Sequence, residues 1–168
     1  KKIYNFSIWD DNSKLRKKFK FKNISNLKNT LKEVDYIVLS PGISLKKTKY
    51  KKDLLKFRNK IITDIDLLYL SNSKFKSIVV TGSNGKSTTC KIIEHLLKKN
   101  KFKVKLGGNI GTPVLNLKIR KNIFFVIEAS SFQLSHSKFI HPDYAILLNI
   151  ANDHLDWHGS KQAYKKSK

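Results

Sequence analysis

Residues 79–90 read VVTGSNGKSTTC and carry the densest chemistry in the chain. A short apolar strand, Ile78–Val80, runs into a loop of Gly, Ser and Asn, and a helix-like stretch follows from Thr88 to Lys99. Free N–H groups at a helix N-terminus hold anions, helped by the helix dipole. Glycines let the backbone approach a phosphate, a lysine such as Lys86 neutralises it, and a hydroxyl such as that of Ser87 can reach Mg²⁺. The bland alternative is a Gly-rich strand–helix turn with a capping serine. Strand, loop, helix and the order Gly-Lys-Ser-Thr favour phosphate binding through Gly82, Ser83, Asn84, Gly85, Lys86, Ser87 and Thr88. The spacing is contracted: only Ser83 and Asn84 separate Gly82 from Gly85, and Val80 stands where the common loop has its first glycine.

Other residues could complete a site. Glu128 closes the apolar run Phe124–Glu128, at the strand edge where open α/β sheets place ligands. It is either a Mg²⁺ ligand or a solvated strand-end acid. His154 lies in NDHLDWH after a second apolar run, Ala145–Asn149, as a metal or substrate ligand or as a structural histidine. Asp153 and Asp156 flank it, to orient the ring or to cap the next turn. Asn109, among the glycines of GGNIGTP (107–113), either reaches a ligand or occupies a left-handed turn. Ser130 and Gln133 contact a ligand or simply begin a helix. Asp10, with Asp11 beside it, ends the first strand where an acid can meet a ribose or base, or is a turn residue.

These positions need a scaffold of strands alternating with helices, the pattern of an α/β fold with a parallel sheet. Strands are expected at Ile3–Trp9, Tyr36–Leu39, Ile61–Ile62, Ile78–Val80, Phe102–Leu106, Phe124–Glu128 and Ala145–Asn149. Helices are expected at Ser25–Lys32, Lys51–Asn59, Asp64–Leu70 and Thr88–Lys99, and the last residues read as helix. The continuous apolar character of Phe124–Glu128 and Ala145–Asn149 predicts strands covered on both faces. GGNIGTP breaks all regularity. SNSKFKS, 71–77, reads as a linker and divides the chain into 1–72 and 73–168, neither of which looks complete.

Composition sets the limits. With 168 residues and 40% hydrophobic content, a sizeable core can form. No apolar run approaches the ~18 residues of a membrane span. The lone Cys90 excludes an internal disulfide and suits a reducing cytosol. The net charge of +23 suggests nucleic acid, yet only three of 35 basic residues are arginine, the residue that reads bases and phosphates by its fork. Lysine spread over every segment, with 14 asparagines, is what an AT-rich genome writes into a protein.

The contracted loop TGSNGKST resembles the Thr-Gly-Thr-Asn-Gly-Lys-Ser/Thr loop of the Mur ligases and the folylpolyglutamate synthases, with Ser83 where Thr is usual. SPGI (40–43), GGNIGTP (107–113), IEASSFQL (127–134) and NDHLDWHGS (152–160) follow in the order of the Mur ligases that add D-glutamate, and Ser-Ser-Phe-Gln-Leu is the most discriminating run. The resemblance implies a truncated Rossmann-like UDP-binding domain, 1–72, lacking its first strand and Gly-rich loop. It implies that 73–168 is the first part of a P-loop-type parallel-sheet ATPase domain.

It further implies ATP, two Mg²⁺ ions, and a cytoplasmic, monomeric enzyme of peptidoglycan synthesis. Such an enzyme joins UDP-N-acetylmuramoyl-L-alanine to D-glutamate, with no nucleic acid and no membrane insertion. By the same resemblance Lys86, His154 and Lys168 are catalytic. Ser40, Pro41 and Gly42 cradle the UDP pyrophosphate. Asn109, Ser130, Gln133 and His154 meet the muramoyl substrate, and Asp10 its nucleoside. Ser87, Glu128, His154 and Lys168 serve the metal, Lys168 as a CO₂-derived carbamate four residues after Tyr164. At the chain's last residue, Lys168 is expected to be frayed and mobile here, and the chain alone inactive. Three departures stand out: Trp157 for an arginine, and Ala151-Asn152 for Thr-Glu. Two further readings remain: another Mur-type or folate-type ligase, and a basic nucleotide- or nucleic-acid-binding module.

Overall fold

The structure, a computed structural model, describes residues 5–19, 22–71, 74–118 and 122–168. In chain order the elements are β1 (Ser7–Ile8), α1 (Ser13–Lys18), β2 (Lys22–Asn23), α2 (Leu27–Glu33), β3 (Ile37–Val38), α3 (Lys51–Lys56), β4 (Ile61–Ile62) and α4 (Asp64–Leu70). Then come β5 (Lys76–Thr81), α5 (Lys86–Lys99), β6 (Lys103–Gly108), β7 (Ile123–Glu128), α6 (Ser131–Leu134), β8 (Tyr144–Leu147), α7 (Leu155–His158) and α8 (Lys161–Ser167). Single 3₁₀ turns span Arg58–Lys60 and Val114–Asn116.

All described strand pairs are parallel, as the alternating pattern requires. β1 pairs with β2 and β3 with β4, while the principal sheet has the order β6-β7-β5-β8. Side-chain alternation sends the two faces of this sheet to different cores. Val79, Ile123, Phe125 and Ile127 face one cluster with Val114 and Leu117. Ile78, Val80, Val104 and Val126 face the other. There α5 covers the sheet with Cys90, Ile93 and Leu97, spaced i, i+3, i+7 on one stripe. The opposite face is covered by α4, whose Ile65, Leu68 and Tyr69 join the first cluster.

This placement of α4 cuts across the division at 72/73. Those two residues lie outside the described ones, and the helix before them packs into the sheet after them. Its start is well specified: Thr63 and Asp66 form a reciprocal capping box. Asp66, fully buried, also accepts from the backbone N–H groups of Lys138 and Phe139 at 2.8 and 2.7 Å.

Several expectations need correction. The first strand is only Ser7–Ile8 where described, and Ile3 and Tyr4 lie outside the described residues. The helix from Lys51 stops at Lys56, because Phe57 leaves helical geometry (φ −111°, ψ 27°) and a 3₁₀ turn follows. Gly107 and Gly108 extend β6 rather than breaking it. β8 ends at Leu147 and is not covered on both faces, since it is a sheet edge with Tyr144 57% and Leu147 52% exposed. The helix α1, capped by Asn12, and the strand β2 were not anticipated.

Candidate functional site

The C-terminal ends of β6, β7, β5 and β8 lie along one edge of the parallel sheet, with β8 on the other side of β5 from β7 and β6. Backbone bonds stitch the strand ends together: Ala129 N to Val80 O (3.0 Å), Leu148 N to Thr81 O (3.0 Å), Ser83 N to Asn149 O (3.0 Å). Asn149 also clasps Asn84 in both directions, accepting from its N–H at 2.9 Å and donating to its carbonyl at 3.0 Å. Strand-end position alone could have singled out Asn149.

The loop opens into α5 through Gly85, whose φ of 82° is left-handed and free of cost only for glycine. No side chain caps this helix, and the first-turn N–H groups of Lys86, Ser87 and Thr88 meet no acceptor among the described residues. Such a helix start is open to an anion. The Lys86 ammonium folds back to donate to the carbonyls of Gly82 and Ser83, each at 2.8 Å.

Lys168 reaches the same loop. Its Nζ donates to Thr81 Oγ1 at 2.9 Å and to Gly82 O at 2.8 Å, so the expectation of a mobile terminal lysine is not met. Tyr164 fixes it there: only 1% exposed, it pairs its hydroxyl with Ser83 Oγ at 2.7 Å, one helical turn before Lys168. Two ammonium groups thus share the Gly82 carbonyl, and among the described residues neither lies within 4.0 Å of a carboxylate. Burial, then repulsion from Lys86, lowers the Lys168 amine to about 8, against partial support from Asp153 and Glu128.

Glu128 is 1% exposed, so it is not a solvated strand-end acid. Ser87 Oγ donates to Oε2 at 2.7 Å and Asn109 Nδ2 to Oε1 at 2.8 Å. Both partners are neutral, and among the described residues no cation lies within 4.0 Å of it. A buried carboxylate with only neutral donors, beside a hydroxyl and a phosphate-type loop, is a donor set that fits a hard divalent cation. Asn109 also anchors its backbone N–H on Glu128 O at 2.9 Å and is not left-handed. Gly108 before it (φ 108°) lies so close to the Glu128 backbone that a Cβ would collide.

His154 is left-handed (φ 50°) and begins α7, with its side chain 45% exposed. Asp153 serves the ring, with Oδ2 3.4 Å from Nε2, and its Oδ1 accepts from the adjacent His154 N–H at 2.9 Å without capping α7. The ring lies tilted against Phe132, centroids 4.6 Å apart and planes at 51°. Asp156 instead faces Lys47. Ser130 and Gln133 are committed as helix-start residues. They form a capping box, and Gln133 Nε2 donates to Asp64 at 3.0 Å. Among the described residues there is no cluster of three or more His, Cys, Asp or Glu.

The first-half candidates sit elsewhere. Ser40, Pro41 and Gly42 form an open turn closed by Ile43 N to Ser40 O at 2.9 Å. Asp10 accepts from Asn12 N at 2.8 Å, a turn arrangement. Asp11 is held by the Tyr50 hydroxyl at 2.7 Å and by Lys49 at 3.2 Å, contacts that lower its pKa, the tyrosine bond foremost. No described helix is long and apolar enough to cross a membrane.

Residues 80–168 match the profile of the Mur ligase middle domain. A UDP-N-acetylmuramoylalanine–D-glutamate ligase from Francisella philomiragia is 44% identical over 140 residues, covering 82% of this chain and 34% of that protein. One from Francisella tularensis subsp. tularensis is 43% identical over 140 residues, covering 82% and 33%. The chain therefore spans about a third of the length of these relatives. A crystal structure of MurF from Acinetobacter baumannii superposes with a TM-score of 0.48 at 23% identity, over 62% of this chain and 25% of that one.

Proposed function

The chain belongs to the Mur ligase family through its middle domain, and from that premise we propose that it is part of an ATP-dependent ligase joining D-glutamate to UDP-N-acetylmuramoyl-L-alanine. The observation that carries this reading is the pair of ammonium groups, Lys86 and Lys168, gathered on the Gly82 carbonyl over an open helix start, beside the buried Glu128. The names of the Francisella relatives supply the substrates.

A carboxylate repels an incoming amine and has no good leaving group. Moving the terminal phosphoryl of ATP onto it gives an acyl phosphate. ADP leaves in that transfer. The amine of D-glutamate then attacks the acyl carbon, the bond from carbon to the phosphate oxygen breaks, inorganic phosphate leaves, and the amine gives up a proton. Phosphoryl transfer of this kind depends mainly on positioning and charge neutralisation. The loop from Gly82 to Thr88 offers its N–H groups to the phosphates. Lys86 turns from its carbonyls to the transferring group. Ser87, Glu128, His154 and Lys168 would hold the Mg²⁺ ions, whose charge would neutralise the phosphates. Asn109 and His154 face the substrate carboxylate. Ser130 and Gln133 support that end of the crevice through the capping box. In the first half, 1–72, Ser40, Pro41 and Gly42 meet the pyrophosphate and Asp10 the nucleoside, with 73–168 as the ATPase part.

The lowered Lys168 amine is reactive towards CO₂: its lone pair attacks the carbon and a proton leaves, giving a carbamate that converts a cation into an acidic ligand. Residues 1–168 alone are inactive, the enzyme monomeric and cytoplasmic. The test is release of phosphate by the full-length protein, requiring ATP, the UDP-sugar peptide and D-glutamate together. Lys86→Ala should lower kcat by about 10²–10³-fold, the scale for one lost electrostatic stabiliser. A residual rate above roughly a tenth of the parent, about 1.4 kcal/mol in barrier, would remove Lys86 from the phosphate role. Turnover by residues 1–168 alone would contradict the proposed inactivity.

A further inference from the structure

The turn that follows Ser40–Gly42 is fastened to the loop that carries His154. Ser44, 7% exposed, donates its hydroxyl to the Trp157 carbonyl at 3.2 Å. The Lys46 ammonium donates to the His158 carbonyl, passing directly over Gly159. Lys47 meets Asp156 at 3.4 Å on the surface. These three contacts span more than a hundred residues of sequence and fall on consecutive positions, 156, 157 and 158.

The carbonyls of Trp157 and His158 are among the last of α7, which a four-residue helix leaves without internal partners. Something outside must satisfy them, and Ser44 and Lys46 do. The other side of the loop is held by rings: Trp157 lies 4.8 Å from Phe132, and His158 Nε2 is 2.9 Å from Ser131 Oγ. The His154 side chain meets Asp153 and Phe132, its carbonyl accepts from the N–H groups of Trp157 and His158 at 3.1 and 3.0 Å, and its left-handed backbone is an uncommon state for a residue with a Cβ. Its position is therefore set by both ends of α7.

We propose that Lys46, with Ser44, is a positioning residue that latches the 153–159 loop. Occupancy of the turn at Ser40–Gly42 is thereby coupled to the placement of His154. The inference rests on the reading of His154 as a substrate- or metal-facing group. Its geometry belongs to this chain's own residues and stands apart from the loop that binds phosphate. Any ligand that pulls on the turn at 40–42, an anionic diphosphate above all, acts on residues two to six positions from Ser44 and Lys46.

The experiment uses the full-length protein with Trp9→Phe, which leaves Trp157 as the only tryptophan of this stretch, on either side of which the latch contacts fall. Other tryptophans elsewhere in the full-length protein are replaced likewise. Lys46→Met should raise quenching of Trp157 by acrylamide, and Lys46→Arg should restore the parent value. In the parent background Lys46→Met should lower kcat about five- to tenfold, while KM for ATP stays within about twofold, since misplacement of a positioned group acts on the chemical step. In a His154→Ala background the same change should have no further effect on the residual rate, the signature of two residues acting as one unit. Unchanged Trp157 quenching in a folded Lys46→Met protein overturns the latch. Altered quenching with unchanged kcat overturns its catalytic role. Full activity of His154→Ala overturns both the coupling and the role of His154, and the quenching result then still separates that failure from failure of the latch.

Discussion

Residues 76–168 and residues 5–62 are both α/β, yet they are held together by different amounts of structure. The later region has four parallel strands, three of them six residues long, with helices on both faces of the sheet. Among its described residues the earlier region has two separate pairs of two-residue strands and one core cluster, Leu31, Leu39, Leu45, Leu54 and Ile61. Its β3 leaves Val38 48% exposed. Hydrophobic stabilisation scales with apolar area removed from water. The later region can hold a precise crevice, and the earlier one offers an open turn that borrows stiffness through α4 and the Ser44–Lys47 contacts.

Mutation of the two cores should expose that difference most strongly. Phe125 is fully buried in the long strand β7, so Phe125→Ala should cost about 3–5 kcal/mol, transfer and cavity terms together. Leu39→Ala, at the edge of the small cluster and 8% exposed, should cost about 2–3 kcal/mol, near the low end for such truncations. Denaturant unfolding of the chain followed by far-UV circular dichroism checks both. Equal losses would mean that the earlier region is as tightly packed as the later one.

Asp66 is where the two regions are joined. Its carboxylate satisfies Thr63 at one end and the N–H groups of Lys138 and Phe139 at the other. Asp66→Ala strands those donors, and unsatisfied buried groups cost about 1–3 kcal/mol each. Amides of α4 should then exchange with solvent ahead of those in β5 and β7. Simultaneous exchange would show that α4 is not a separate attachment.

Much of the later region was legible from sequence. The strand–loop–helix around Gly82–Thr88 and the apolar runs ending at Glu128 and near Asn149 carry strong periodic and turn signals. Lys168 was singled out only by resemblance, and its contacts with Thr81 and Gly82 were not foreseen. What escaped were features set by partners distant in sequence. β8 reads as a buried strand, and only sheet order makes it an edge. Gln133 reads as a ligand contact or a helix-start residue, and only the packing of α4 brings Asp64 against it. Two-residue strands such as β2 carry too few residues for any period to show.

Within the crevice, Glu128→Gln in the full-length protein keeps the shape and the acceptor for one of its two donors but removes the charge a hard cation requires. The Mg²⁺ concentration for half-maximal rate should rise about tenfold or more, near 1.4 kcal/mol, with the requirement for the UDP-sugar changed less. An unchanged Mg²⁺ titration would leave Glu128 as a structural acceptor for Ser87 and Asn109.

The smallest effect expected is on stability against pH, and it separates the two regions by where their histidines lie. His136 and His158 are both in the later region, and burial, the largest cause for each, lowers their pKa values below 6.5. Neighbouring groups add to this: Arg58 acts on His136, while the His154 ring, Lys168 and Lys46 act on His158 against partial support from Asp156. The unfolded chain therefore binds more protons than the folded one in the window from the lowered values up to about 6.5, and stability rises with pH there. As pH falls from 7.5 to 5.5 the thermal midpoint of the chain should drop, by a few degrees for a loss of about 1 kcal/mol. His158→Gln, which can still meet Ser131 and carries no titrating charge, should flatten that drop. A midpoint that stays level in the parent, or falls equally in His158→Gln, would mean that the imidazole beneath α7 accepts its proton without cost and that the latch region is more open to water than its burial implies.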